Sequence, residues 1–261
     1  IILNSNFKGG TNNGGRSPSD LHDQLRTNRD GSGTHADVVK KVRLLEELNV
    51  PIGFCLVASS VTRGHERRIY RYFQELGYGF RVNPVIPGWN SNKHDVDEYL
   101  LKEGEYGEFL CHLFDEWAST ETDRISVSPL DSHLRAVLEG ESTECQHKST
   151  CVGNHLGIKP DGEAVLCGRY EYHVLGNISE MSISDIYSSA LSNQIQNRTD
   201  SLNECSSCIN LDICYGGCPR NTSTSGFMER DSFCKDYKII YAHIRSVLRQ
   251  YNNANNKQNV Q

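Results

Sequence analysis

A chain of 261 residues, 37% hydrophobic and 23% charged, can bury a core without needing a metal or disulfide merely to fold. Its formal net charge of −6 argues against a nucleic-acid or anionic-membrane surface. The longest apolar run, "VPIGFCLVA" at 50–58, is about half of what a membrane span needs, and no secretory leader opens the chain, so the expected location is cytoplasmic.

Residues 1–33, with "KGGTNNGGRSPSD" and "RDGSG", are glycine-rich and polar, which predicts loop. Over 34–49, Val38, Val42, Leu45 and Leu48 recur at helical spacing, and Pro51 ends that helix before the buried strand "IGFCLVA". A helix over 65–76 follows, with Ile69, Tyr72, Phe73 and Leu76 on one face and Gly77 as its C-cap. "YGFRVNPVI" reads as a second strand. Helix, strand, helix, strand is half of a βα repeat with a parallel sheet, which two strands cannot complete. Between 95 and 117, Val96, Tyr99, Leu100, Phe109, Leu110, Leu113, Phe114 and Trp117 line one helix, or two broken near Gly104 and Gly107. Residues 119–144 read as a mixed connector. Beyond Cys145 apolar content falls and turns multiply. One helix there carries Ile183, Ile186, Tyr187, Ala190 and Leu191 and is started by Ser182 as N-cap. A last helix runs from Cys234 to about Tyr251, and the polar tail is expected to be disordered.

Of the ten cysteines, Cys55 and Cys111 stand apart in apolar settings and read as inert buried thiols. The other eight are Cys145, Cys151, Cys167, Cys205, Cys208, Cys214, Cys218 and Cys234, spaced C-x5-C-x15-C, then C-x2-C-x5-C-x3-C-x15-C. Disulfide scaffolds are usually short and secreted, whereas this spacing is that of metal ligands. A C-x2-C pair in a tight loop aims both sulfurs at one centre, and eight thiolates divide into two four-coordinate sites. Zinc and iron–sulfur clusters both take four cysteines, so two structural zinc sites stay open at this point. In "CSSCINLDICYGGCP", Gly216 and Gly217 are read as letting backbone approach a bulky inorganic core. The Pro-Asp-Gly turn of "KPDGEAVLCG" should present Cys167 at a strand end.

"GEAVLC", "CSSCINLDICYGGC", the late Cys234 and "LGNI" leading into "SISDIY" together resemble the SPASM domain of radical S-adenosylmethionine enzymes. The segment "LHDQLRTNRDGSGTHADVVKKVRLLEELNV" resembles the stretch after the fourth strand of that family's partial (β/α)6 barrel. "IYRYFQELGYGFRVNPVIP" resembles its fifth helix and sixth strand. The resemblance runs from about Leu21 to Tyr241 and implies an α/β fold: the C-terminal part of a radical SAM barrel over 1–118, a connector over 119–144, a cysteine-rich SPASM domain with a β-hairpin and helices over 145–250, and a tail over 251–261. It further implies two auxiliary [4Fe-4S] clusters, one on Cys145, Cys151, Cys167 and Cys218 and one on Cys205, Cys208, Cys214 and Cys234.

The C-x3-C-x2-C loop that holds the radical-generating cluster in that family does not occur in this sequence. Ile1 stands where a complete chain would carry methionine, which is in keeping with an N-terminally truncated member. S-adenosylmethionine and a third [4Fe-4S] cluster are therefore expected only with the missing N-terminal part. The resemblance implies a peptide or protein substrate and a reductant such as flavodoxin or ferredoxin, with no nucleic acid and no membrane. Two activities are implied: sulfatase formylglycine formation and cross-linking of ribosomal peptides. In the sulfatase-maturating members an aspartate base follows the third auxiliary cysteine; here Gly168 stands there, which favours the peptide-modifying members. Glu171 and His173 are the candidates for that proton, set against a reading as polar loop residues. His22 and Arg26, four apart, would stack on a helix and touch cofactor or substrate, or simply start a solvated helix. Trp89 reads as packing at a strand end. Competing functions are a non-catalytic iron–sulfur module that binds peptide or relays electrons, and a zinc-stabilised interaction domain.

Overall fold

The computed structural model describes residues 18–86, 97–222 and 227–258, without the side chains of residues 170–172, 257 and 258. Two compact units divide the chain, one reaching Asp131 and the other beginning at Ser132.

The first unit alternates helix and strand. After α1 (Ser19–Leu25) come α2 (His35–Glu47), β1 (Phe54–Ala58), α3 (Glu66–Leu76), β2 (Phe80–Pro84), α4 (Glu105–Ala118) and β3 (Val127–Ser128). The three strands form one parallel sheet in the order β1-β2-β3, pairing Phe54 with Phe80 and Phe80 with Val127. This is the α/β class with a parallel sheet that the sequence predicts. Along β1 the residues Phe54, Leu56 and Ala58 are buried, while Cys55 and Val57 occupy the other, half-covered face. Helix α3 lays Ile69, Tyr70 and Phe73 into this core, and Phe73 stacks on Phe80 with ring centroids 4.5 Å apart. Helix α4 adds Phe109, Leu110, Leu113 and Phe114. Each such fully buried side chain contributes about 1.5–3 kcal/mol.

Local chemistry sets the helix ends. Gly77 adopts the left-handed conformation (φ +72°) that closes α3. Gly104 does the same before α4 (φ +95°), so the helical pattern breaks there, while Gly107 lies buried inside α4. The stretch at 119–144 is more than a connector. It contributes β3 and α5 (Leu130–Glu139); a two-residue strand has no alternation to read in sequence.

The second unit holds an antiparallel sheet, β4 (Gly157–Ile158), β5 (Glu163–Cys167) and β6 (Tyr170–Asn177). The turn at 159–162 closes with Gly162 at φ +85° and the Lys159 amide donating to the Glu163 carbonyl at 2.8 Å. Cys167 is the last residue of β5 and pairs with Tyr170 across a two-residue reversal. Ala164, Leu166 and Leu175 of this hairpin pack with Ile186 of α6 (Ile183–Tyr187), Ile195 of α7 (Ala190–Gln196) and Phe227.

Ser182 caps α6 in a capping box: its hydroxyl accepts from the Asp185 amide at 3.2 Å, and the Asp185 carboxylate accepts from the Ser182 amide at 3.3 Å. Ser182→Ala is expected to lower stability by about 1 kcal/mol in chemical denaturation, whereas the exposed Ser184→Ala should stay within about 0.5 kcal/mol.

The chain ends in α8 (Leu211–Cys214) and the long α9 (Cys234–Gln258). Tyr237, Ile240, Tyr241 and Ile244 form the buried face of α9. Helix α9 passes the expected end near Tyr251 and reaches Gln258, because no glycine or proline interrupts residues 251–258. The tail expected to be disordered is thus helical over most of its length.

Candidate metal centre

The segment at 205–219 is a sequence of tight reversals that turn four thiols inward. The Cys208 amide donates to the Cys205 carbonyl at 2.9 Å, and α8 then ends at Cys214. Three consecutive residues follow in the left-handed region: Tyr215 (φ +51°), Gly216 (φ +77°) and Gly217 (φ +72°). A Cβ on Gly216 would lie 2.3 Å from Leu202 Cδ1, and one on Gly217 would lie 2.3 Å from Asp231 Cβ. Both glycines are therefore required by close-packed protein neighbours as well as by their backbone conformation, and Gly216 also lines the cavity between the cysteines.

The resulting loop gathers Cys205, Cys208, Cys214 and Cys234 around one cavity, which Asp231 and Tyr237 also line. The charges that act on Cys205 include those of Cys234 and Cys208, and those on Cys214 include Cys234 and Cys205. A second set forms around Cys151, whose charge neighbours are Cys218, Cys145 and Cys167. Cys145 enters from a single 3-10 turn, Cys167 from the tip of β5, and Cys151 from beside the hairpin core. All ten cysteines are free thiols. Among the described residues no three His, Cys, Asp or Glu side chains converge closely enough to hold a single metal ion. The four sulfurs around the cavity thus surround a volume and do not meet at a point.

Electrostatics suit a cationic guest. Burial first, then the neighbouring thiols, pushes Cys151 up to about 12; burial, Asp231 and Cys234 push Cys214 up to about 12. Burial likewise raises Cys205 and Cys218. Thiols so placed ionise when a metal compensates their charge. The amides of Gly216 and Arg220 already donate to the sulfurs of Cys214 and Cys218, which favours the thiolate form. The donor set therefore fits an iron–sulfur cluster, in which each thiolate binds its own iron.

Two residues that sequence reasoning did not single out tie this region together. Asp231 is buried and accepts from the amides of Cys218 and Phe233, both at 2.8 Å, and from Asn221 Nδ2 at 3.1 Å. Burial raises its carboxyl to about 6 against those donors. Arg198, also buried, donates to four backbone carbonyls of the same loops. Neither had a spacing signal in sequence. Nearby, His147 is buried with its Nδ1 3.0 Å from Tyr241 Oη, and burial lowers it to about 3, so it packs as a neutral ring.

The remaining candidates fall elsewhere. His22 is buried in the first unit, its Nε2 3.0 Å from Thr34 Oγ1 and its ring edge-on to His35. Arg26 is exposed with extended backbone (φ −136°) just past α1, so the proposed helical stacking of His22 and Arg26 does not form. His173 is half-buried and edge-on to Phe227. The Glu171 side chain and Trp89 lie outside the described residues. Cys111 is buried, and burial raises it to about 12. Cys55 is only half-buried, its sulfur accepting from Asn83 Nδ2 at 3.0 Å, which corrects its reading as a core thiol.

Residues 145–209 match the SPASM family, an iron-sulfur cluster-binding domain; the match spans five of the eight cysteines and stops before Cys214, Cys218 and Cys234. Among curated proteins the chain is similar to a cysteine-type anaerobic sulfatase-maturating enzyme of Clostridium perfringens, 28% identical over 236 residues, covering 87% of this chain and 63% of that protein. It is also similar to a serine-type anaerobic sulfatase-maturating enzyme of Bacteroides thetaiotaomicron, 23% identical over 249 residues, covering 87% and 60%. Among solved structures it resembles anSMEcpe with bound AdoMet, with a TM-score of 0.73, 25% identity, and coverage of 92% of this chain and 64% of that one. The same enzyme with bound AdoMet and the Cp18Cys peptide also gives 0.73, covering 92% and 68%. Residues 145–209 thus match an iron–sulfur cluster-binding family, the chain resembles anaerobic sulfatase-maturating enzymes in sequence and fold, and it spans less than two thirds of the first relatives it matches.

Proposed function

We propose that this chain is the barrel-and-SPASM portion of a radical S-adenosylmethionine maturase that modifies a side chain of a peptide or protein. Residues 1–118 supply barrel elements and 145–250 the cluster domain. Two auxiliary [4Fe-4S] clusters are assigned, one to Cys145, Cys151, Cys167 and Cys218, the other to Cys205, Cys208, Cys214 and Cys234. The cavity bounded by the last four thiols is the observation that carries this reading. Bound clusters supply sites that accept and pass electrons. The protein's own part is to favour the thiolates of Cys214 and Cys218 with the Gly216 and Arg220 amides, against the burial that raises them, and to shield the site from water.

The relatives point to oxidation of a sulfatase cysteine or serine as the first activity to test. Gly168 favours a second reading, modification of ribosomally made peptides. A Cβ there meets nothing within 4 Å, so the space next to Cys167 is open where the sulfatase-maturating members carry their aspartate base. Proton removal would then fall to Glu171 or His173. S-adenosylmethionine, a third cluster, a flavodoxin- or ferredoxin-like reductant and a cytoplasmic setting complete the proposal for the whole protein. No helix among the described residues is long and apolar enough to cross a membrane.

Anaerobic reconstitution with iron and sulfide tests the central assignment. A brown protein with about eight irons per chain is the expected result. A colourless protein holding about two zinc ions would establish the interaction-domain reading instead.

A further inference from the structure

Arg198 is 4% exposed, and among the described residues no other lysine or arginine is buried. Its Nε donates to the Phe227 carbonyl at 2.5 Å, Nη1 to Gly217 at 2.9 Å, Nη2 to Gly216 at 3.1 Å and also to Glu229. All four acceptors are neutral backbone oxygens. A neutral amide side chain could satisfy part of that set without the cost of burying a full charge, which amounts to several kcal/mol. Burial does pull the guanidinium below its ordinary range, and the opposing charges are those of Asp231, Cys151, Cys218 and Cys205. Cys151 and Cys218 belong to one cysteine set and Cys205 to the other. Gly216 and Gly217, whose carbonyls the guanidinium holds, stand in the chain between Cys214 of one set and Cys218 of the other.

We propose that Arg198 is a shared counter-ion of both cysteine sets, a buried permanent cation that raises the reduction potential of a cluster bound in either one. The inference rests on the two-cluster reading above. Adding one electron to either site makes it more negative by one charge, with no bond made or broken. The guanidinium stays protonated throughout and releases no proton. Its four carbonyl bonds fix the cation in place, so the stabilisation needs no reorganisation when the charge arrives. Because one cation serves both sets, its removal should move both potentials in the same direction.

The test uses the full chain, reconstituted anaerobically, titrated with dithionite and mediators and followed by electron paramagnetic resonance. Arg198→Gln keeps hydrogen-bond donors near the carbonyls and removes the charge; Arg198→Lys keeps the charge with a different donor set. In R198Q both midpoints should fall, changing the oxidised-to-reduced ratio at fixed potential about tenfold, or about 59 mV for one electron. R198K should stay within about threefold of the unmodified protein. Iron uptake by R198K but not R198Q carries the same meaning, since charge is then required for assembly. Native potentials in both variants, or iron loss in both, would reduce Arg198 to a structural brace and overturn the proposal. Failure of the unmodified chain to take up iron would instead overturn the two-cluster reading itself.

Discussion

Replacing Cys214 with alanine is expected to remove about half of the bound iron and to loosen the chain around α8, which iron quantitation and hydrogen exchange over residues 203–221 would read. The thiol lines the cavity with Cys205, Cys208 and Cys234, and its side chain packs beside Ala136, Ile213, Tyr237 and Tyr241. A missing ligand leaves three thiols where a four-iron cluster needs four, and burial with the charges of Cys234 and Cys208 raises Cys205. The set should therefore empty as a whole and not merely weaken. The other set, around Cys151, keeps its four thiols and its iron. Cys55→Ala is the control, because Cys55 lies in β1 of the first unit, its sulfur accepting from Asn83 Nδ2. Equal iron loss in the two variants would mean that the ligand assignment is wrong.

Gly217→Ala should be the most damaging single methyl in the second unit. Its backbone sits at φ +72°, which costs a non-glycine residue about 1–2 kcal/mol. The new Cβ would also fall 2.3 Å from Asp231 Cβ and 2.9 Å from Cγ, so Asp231 must move. That residue holds the Cys218 amide through its carboxylate and the Cys234 amide through its carbonyl, at 2.8 and 3.0 Å. One ligand of each cysteine set is thereby disturbed. A combined loss of about 3–5 kcal/mol is expected in chemical denaturation, with iron falling in both sets. Gly140→Ala separates the two causes: it shares the left-handed backbone (φ +79°) but a Cβ there meets nothing within 4 Å. It should cost only the backbone penalty of about 1–2 kcal/mol and leave iron untouched. Similar losses in both variants would show that the Asp231 contact carries no weight.

Several elements could be read directly from short stretches. The helical face of Ile69, Tyr72 and Phe73, the Gly77 cap, the Ser182 cap and the strand-end position of Cys167 all appear where local pattern puts them. Each depends on residues within about one turn or one pleat, where covalent geometry already fixes who neighbours whom. The strand β3 escaped because two residues cannot display a period, and the extra length of α9 escaped because a polar helix has no apolar stripe to follow.

By itself the sequence determined that eight closely spaced thiols exist, that parallel βα units precede them, and that the cysteine-rich part resembles an iron–sulfur domain. Spacing could not say which thiols face one another, nor that Arg198 and Asp231 stand among them. Arg198 reaches carbonyls 18 to 31 residues away, and Asp231 meets Gly217 and Cys218 only after the chain has reversed through Asn221. Those meetings depend on left-handed turns and buried packing, which act between residues distant in the chain and leave no periodic trace in the residues that take part.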